Sequence, residues 1–133
     1  MIARFLDFIT KKGASNIERK ADFLTFKYNN HFYIFSYDPQ SDSNFIRLIL
    51  PDIEPSDTID ESVRKTMIEV STEYKVIKVV EVEEKVWLSA ELFVFSTENI
   101  DVLFQRILDL MENALNIYHE KRKEQSTVEH AEH

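Results

Sequence analysis

The sequence predicts one α+β domain whose elements run α-β-β-β-α-β-β-α, an antiparallel sheet of two meanders with helices packed on it. Three observations carry this. Apolar residues recur at helical spacing near the start, in the middle and towards the end of the chain. Between those stretches, β-rich runs alternate apolar and polar residues. An asparagine pair, prolines and acidic clusters punctuate the runs. A chain of 133 residues fits a single domain, here expected over 1–125, with a disordered tail at 126–133.

The first helix rests on Ile2, Phe5, Leu6 and Ile9, which share a face. Lys11 and Lys12 suit the negative end of its dipole, and Gly13 suits the left-handed residue that closes it. Strands are expected at 22–28 and 31–37. Asn29 and Asn30 join them, both tolerant of the positive φ that a two-residue hairpin requires. That turn sets Phe26 opposite Tyr33 and Leu24 opposite Phe35. A polar loop leads to a third strand at 45–50, and Pro51 ends it.

A second helix is expected at 58–74. Thr58 and Glu61 have the spacing of a capping box, and Ile59, Val63, Met67, Val70 and Tyr74 form an apolar stripe. Strands at 75–82 and 85–95 would turn at Glu83 and Glu84, a poor pair for a tight hairpin. A third helix follows Thr97 as N-cap, with a broad apolar stripe from Ile100 to Tyr118.

Strand parity sorts the sheet into two faces. One is almost wholly apolar, with Leu24, Phe26, Tyr33, Phe35, Ile46, Leu48, Ile77, Val79, Leu88 and Leu92. The other mixes Phe23, Phe32, Ile34, Phe45, Ile49, Val80, Trp87 and Phe93 with Lys27, Arg47, Lys78, Lys85 and Glu91. It is too apolar to stay wet and too charged for a closed core. The second helix is expected to cover part of it, and a partner the rest.

Composition excludes much chemistry. The chain has no cysteine, hence no disulfide, thiolate metal site or cysteine nucleophile. Its one glycine cannot build a phosphate cradle or a dinucleotide fingerprint. A formal charge of -8 argues against a nucleic-acid coat. No apolar run reaches membrane-spanning length, so a cytoplasmic protein is expected.

Residues 38–44 have oxygen-bearing side chains like a calcium loop, but Ser43 and Ile49 stand where glycine and a bidentate glutamate are needed. His119, His130 and His133 lie near glutamates, the last two in the expected tail, where nothing would hold ligand geometry. Asp52, Glu54, Asp57, Asp60 and Glu61 flank prolines and open a helix, as solvated linker acids do. No serine triad is assembled around His31 or His119. No catalytic residue, metal or cofactor is assigned.

Two stretches, Tyr74-Lys75-Val76-Ile77-Lys78-Val79 and Val86-Trp87-Leu88-Ser89-Ala90-Glu91, with the helix from Thr97 through Leu115 and the element order, carry a resemblance. Over residues 2–120 the chain resembles the type III secretion chaperone-like fold and, within it, YbjN-like proteins. Val70-Ser71-Thr72-Glu73 stands where family members often carry asparagines. The resemblance implies an acidic cytoplasmic homodimer that holds extended protein segments.

With the mixed face, it leads to an expected function: a non-enzymatic, chaperone-like, protein-binding module. Phe23, Lys27, Phe32, Arg47, Lys78, Trp87 and Phe93 are the candidate binding or dimer surface. Single-stranded nucleic acid on the aromatic face, or a small ligand in a regulatory domain, are the alternatives.

Overall fold

The structure is a computed structural model, and it describes residues 1–38, 44–94 and 96–131. A helix, four strands, a helix, two strands and a long helix follow one another: α1 (Ile2–Lys11), β1 (Ser15–Arg19), β2 (Phe23–Tyr28), β3 (His31–Asp38), β4 (Asn44–Leu50), α2 (Glu61–Glu73), β5 (Ile77–Val82), β6 (Lys85–Val94) and α3 (Ile100–Ala131). The α+β class is the expected one, with one strand added.

The strands form one antiparallel sheet in the order β1-β2-β3-β4-β6-β5. The two meanders join where β4 pairs with β6, which leaves β5 at an edge. Both hairpins keep the expected register. Phe26 faces Tyr33 and Leu24 faces Phe35, around Asn29 and Asn30 at φ 50° and 64°. Val82 faces Lys85 across Glu83 and Glu84, which also adopt φ 49° and 64°. Two glutamates thus take a conformation that asparagine and glycine occupy more cheaply.

The added strand β1 carries a bulge between Ser15 and Glu18, where Asn16 has φ 52°. Ile17 is its only aliphatic side chain, so the strand has no alternation to read. Gly13, at φ 86°, closes α1 as expected.

The helix starts differ from expectation. α2 begins at Glu61, and Asp60 caps it by accepting from the Val63 N–H at 3.0 Å. Thr58 instead belongs to a turn in which its N–H donates to Ser56 Oγ. α3 begins at Ile100, whose N–H donates to the Thr97 carbonyl, while the Asn99 carbonyl accepts from Val102 and Leu103. Its backbone continues past Ser126 to Ala131, so the tail expected at 126–133 meets a helix. Its last two residues, and the loop centre at 39–43 considered as a calcium loop, lie outside the described residues, as does Phe95.

One face of the sheet holds the core. Phe5 of α1 stacks on Phe35 with ring centroids 3.8 Å apart and meets Phe104 of α3 edge-on at 5.0 Å. Leu24, Phe26, Ile46, Leu48 and Leu88 are buried there with Ile107, Met111 and Leu115 of α3. The second helix corrects the expectation. Its Val63, Met67 and Val70 join this same core beside Ile77 and Val79, and it packs on β5 and α3. Ser71 Oγ accepts from the Val79 N–H at 2.9 Å, and Lys121 reaches Glu69 at 3.7 Å. All three helices therefore lie on one side of the sheet.

Candidate functional site

Because α2 sits with the other helices, no helix among the described residues covers the mixed face. Antiparallel register arranges its side chains in rows across the strands. At one end Phe45 pairs with Phe93, ring centroids 5.1 Å apart. The next row sets Phe23, Ser36, Arg47 and Glu91 side by side. A central row holds Thr25, Ile34, Ile49, Ser89 and Lys78. One step further stand Lys27 beside Phe32, and Trp87 beside Val80.

The structure thus brings all seven candidate residues, Phe23, Lys27, Phe32, Arg47, Lys78, Trp87 and Phe93, onto one face. They do not form one point. Phe32 and Phe93 are each 50% exposed and sit at opposite ends, while Phe23 and Trp87 are half-buried. Between them lies a shallow concavity of about 780 Å³ whose lining includes Phe23, Ile34, Phe45, Arg47, Ile49 and Trp87, with the acids Asp22 and Asp38.

Its electrostatics are less basic than strand parity implied. Glu91 lies directly opposite Arg47, with Oε1 3.0 Å from Nε. Its other oxygen is 3.7 Å from Lys78 Nζ. Arg47 Nε is nevertheless buried without a hydrogen-bond partner. Its N–H does not point at the carboxylate, so the attraction is coulombic and the donor stays open. The Arg47 guanidinium also lies 5.8 Å from the Phe45 ring centroid. Glu91 belongs to the site, and its parity with Arg47 was the signal for it.

A second polar cluster lies on the helix side. Glu54, in the segment between β4 and α2, is buried. Its Oε1 accepts from the Tyr118 hydroxyl and from Arg122 Nε, each at 2.6 Å, and its Oε2 accepts from the Ser56 N–H at 3.0 Å. Arg122 also donates to Ser62 Oγ at 2.7 Å. His119 Nε2 lies 3.0 Å from the Ile53 carbonyl. Burial first, then the bonded Glu54, pushes the Tyr118 phenol well above its ordinary range. Glu54 is a linker acid by sequence, yet it pins that linker to α3. Its partners lie far away in sequence, so no local pattern announces it.

The sheet edges offer less than the face. β1 is short, bulged and exposed, a form that discourages further pairing. On β5, Ser71 already takes the outward Val79 N–H. Among the described residues, no helix is long and apolar enough to cross a membrane.

No protein-family model and no curated protein matches the chain. Among solved structures, it is similar to an uncharacterized protein from Methanothermobacter thermautotrophicus, with a TM-score of 0.45 and 11% identity over 90% of this chain and 96% of that one.

Proposed function

We propose that the chain is a non-enzymatic, chaperone-like module of the cytoplasm that holds an extended, partly apolar segment of another protein on the bare face of its sheet. The observation that carries this is the placement of α2. With every helix on the core side, Phe32 and Phe93 meet water and Trp87 is partly exposed, an apolar exposure of the kind that marks interaction surfaces. The face is favoured over strand addition, because one edge is short and bulged and the other has its central Val79 N–H taken by Ser71.

In the free protein a second copy can close over the same face, so the resting form is a weak homodimer. Six strands at about 4.8 Å spacing and about six residues of length give a face on the order of 500 Å². A standard stable interface buries about 800 Å² on each partner. A homodimer through this face alone is therefore dissociable, and an incoming segment competes with it. Glu91 between Arg47 and Lys78, with a chain charge of -8, weighs against single-stranded nucleic acid.

The test uses Trp87, the only tryptophan. Dilute protein should show Trp87 open to a soluble quencher, and sedimentation at rising concentration should show reversible dimerisation with Trp87 becoming shielded. Phe93→Asp should abolish both self-association and capture of peptides. The reading is lost if Trp87 is fully shielded in a strict monomer, or if Phe93→Asp changes neither property.

A further inference from the structure

We propose that the second copy closing over the bare face does so with its strands reversed, about a two-fold axis that runs along the central row of side chains. The acid-bearing end of each face then meets the lysine-bearing end of the other. This rests on the homodimer in the reading above and fixes how its two copies meet.

Sheets that pack face to face keep their strands aligned within about 30° and stand about 10 Å apart. A closed dimer joins the same patch on both copies. Its axis therefore lies in the plane between the faces, along the strands or across them. An axis along the strands lays each end of the face on the same end of the other copy. An axis across them, following Thr25, Ile34, Ile49, Ser89 and Lys78, exchanges the ends.

Charge separates the two choices. At one end Asp38 stands in the Phe45–Phe93 row, Asp22 lines the same concavity, and Glu91 is one row further in. Arg47 is the cation among them, and it is already drawn to Glu91 at 3.0 Å. At the other end Lys27 stands beside Phe32, and Lys85 forms the last row with Val82. Glu83 and Glu84 follow in the turn beyond that row, and Asp52 is 3.8 Å from Lys85. An axis along the strands would crowd Asp22, Asp38 and Glu91 of both copies together. The axis along the central row brings lysines to those acids instead.

Shape agrees with charge. Counting outwards from the axis along β2 and β3, Lys27 falls over Phe23 of the second copy, beside its Asp22, and Phe32 falls over Ser36. Along β6, Lys85 falls over Phe93. Phe32 and Phe93, each 50% exposed, thus oppose a small side chain and a flexible one. Both lysines reach an aromatic ring, which attracts a cation. Lys78 meets its own counterpart at the sheet edge, with Glu91 3.7 Å away to offset the repulsion.

The test places one cysteine in a chain that has none. Thr25 and Lys78 lie near opposite edges of the sheet, and on the axis each stands about 10 Å from its own counterpart. In the full-length protein, Thr25→Cys and Lys78→Cys should each be joined to themselves by a thiol linker of about that span. With the axis along the strands, the two Lys78 positions would lie more than about 20 Å apart. Lys27→Glu and Asp22→Lys should each weaken self-association about tenfold, since every contact occurs twice, and the two together should restore it. Rising salt should loosen the wild-type dimer.

The inference is overturned if sedimentation shows a dimer that neither cysteine links, if the paired exchange does not restore what the single ones lose, or if salt tightens the dimer. Loss of that dimer in Phe93→Asp would still leave the reading above intact. A wild-type protein that is monomeric at every concentration overturns this inference, and peptide capture then stands or falls with Phe93→Asp alone.

Discussion

Glu54 and Glu91 each sit against an arginine, and the two sites behave as opposites. Glu54 is buried and accepts three hydrogen bonds, from Tyr118, Arg122 and Ser56. Its arginine spends a further nitrogen on Ser62 and Gln125. Glu91 lies on the bare face between Arg47 and Lys78, and the Arg47 donor is unsatisfied. A closed network joins parts of the fold, here the β4–α2 segment to α3. An open one leaves chemistry for something else to finish. The same residue types therefore close a junction on one side of the sheet and stay incompletely bonded on the other.

The sharpest way to break this comparison is to remove each arginine. Arg122→Ala leaves the Glu54 carboxylate buried with a phenol and a backbone N–H for company. Loss of one partner from a buried pair costs about 3–5 kcal/mol, so a large fall in the urea midpoint is expected. Arg47→Ala exposes a carboxylate that is already partly wet and keeps Lys78, so its cost should stay under about 1 kcal/mol. Equal losses from the two substitutions, read by equilibrium unfolding, would erase the distinction between the sites.

A third carboxylate gives an intermediate case. Asp60 caps α2 through the Val63 N–H, and that backbone bond first, with help from Ser62 and Arg122, holds its carboxyl below the usual range. Asp60→Ala should cost about 1 kcal/mol, the ordinary value of a lost N-cap. The sign with pH follows from the depressed folded-state value. The cap's contribution is fully present above the ordinary aspartate range near 4 and is lost as pH falls through the lower value of the folded state. The stability gap between wild type and Asp60→Ala should thus narrow on acidification below about pH 4. A gap that is constant from pH 7 to pH 2 would contradict the capping role.

Much of the bare face was legible because strands have a period of two. Once the Asn29–Asn30 hairpin fixes Phe26 against Tyr33, parity alone assigns Phe23, Lys27 and Phe32 to the side away from the core. The same holds for Arg47, Lys78, Trp87 and Phe93. What parity does not carry is which side a helix takes. The stripe of Val63, Met67 and Val70 says that α2 packs, and the route of the segment before it decides where. That route is set by Ile53 bonding to Val86 and by Glu54 bonding to Tyr118 and Arg122, contacts far apart in sequence. β1 escaped notice for a different reason. With Asn16 at positive φ and Ile17 alone among polar neighbours, its pairing comes from the sheet and not from its own pattern.

The smallest expected effect is also the most discriminating. Glu91→Gln removes a charge but keeps the shape, and Ser89 Oγ at 3.5 Å is its weak remaining neighbour. If Glu91 were a structural ion pair like Glu54, its loss would free two cations and cost stability. As a partly exposed pair, it should change the unfolding free energy by less than about 0.5 kcal/mol, since relief of its own desolvation offsets the lost attraction. Stability should thus barely move at Glu91, whereas loss of Glu54 would unpin the β4–α2 segment from α3. A thermal melt of the one variant separates the cases: a large loss of melting temperature would make Glu91 a second Glu54, a closed junction and not a partly wet pair.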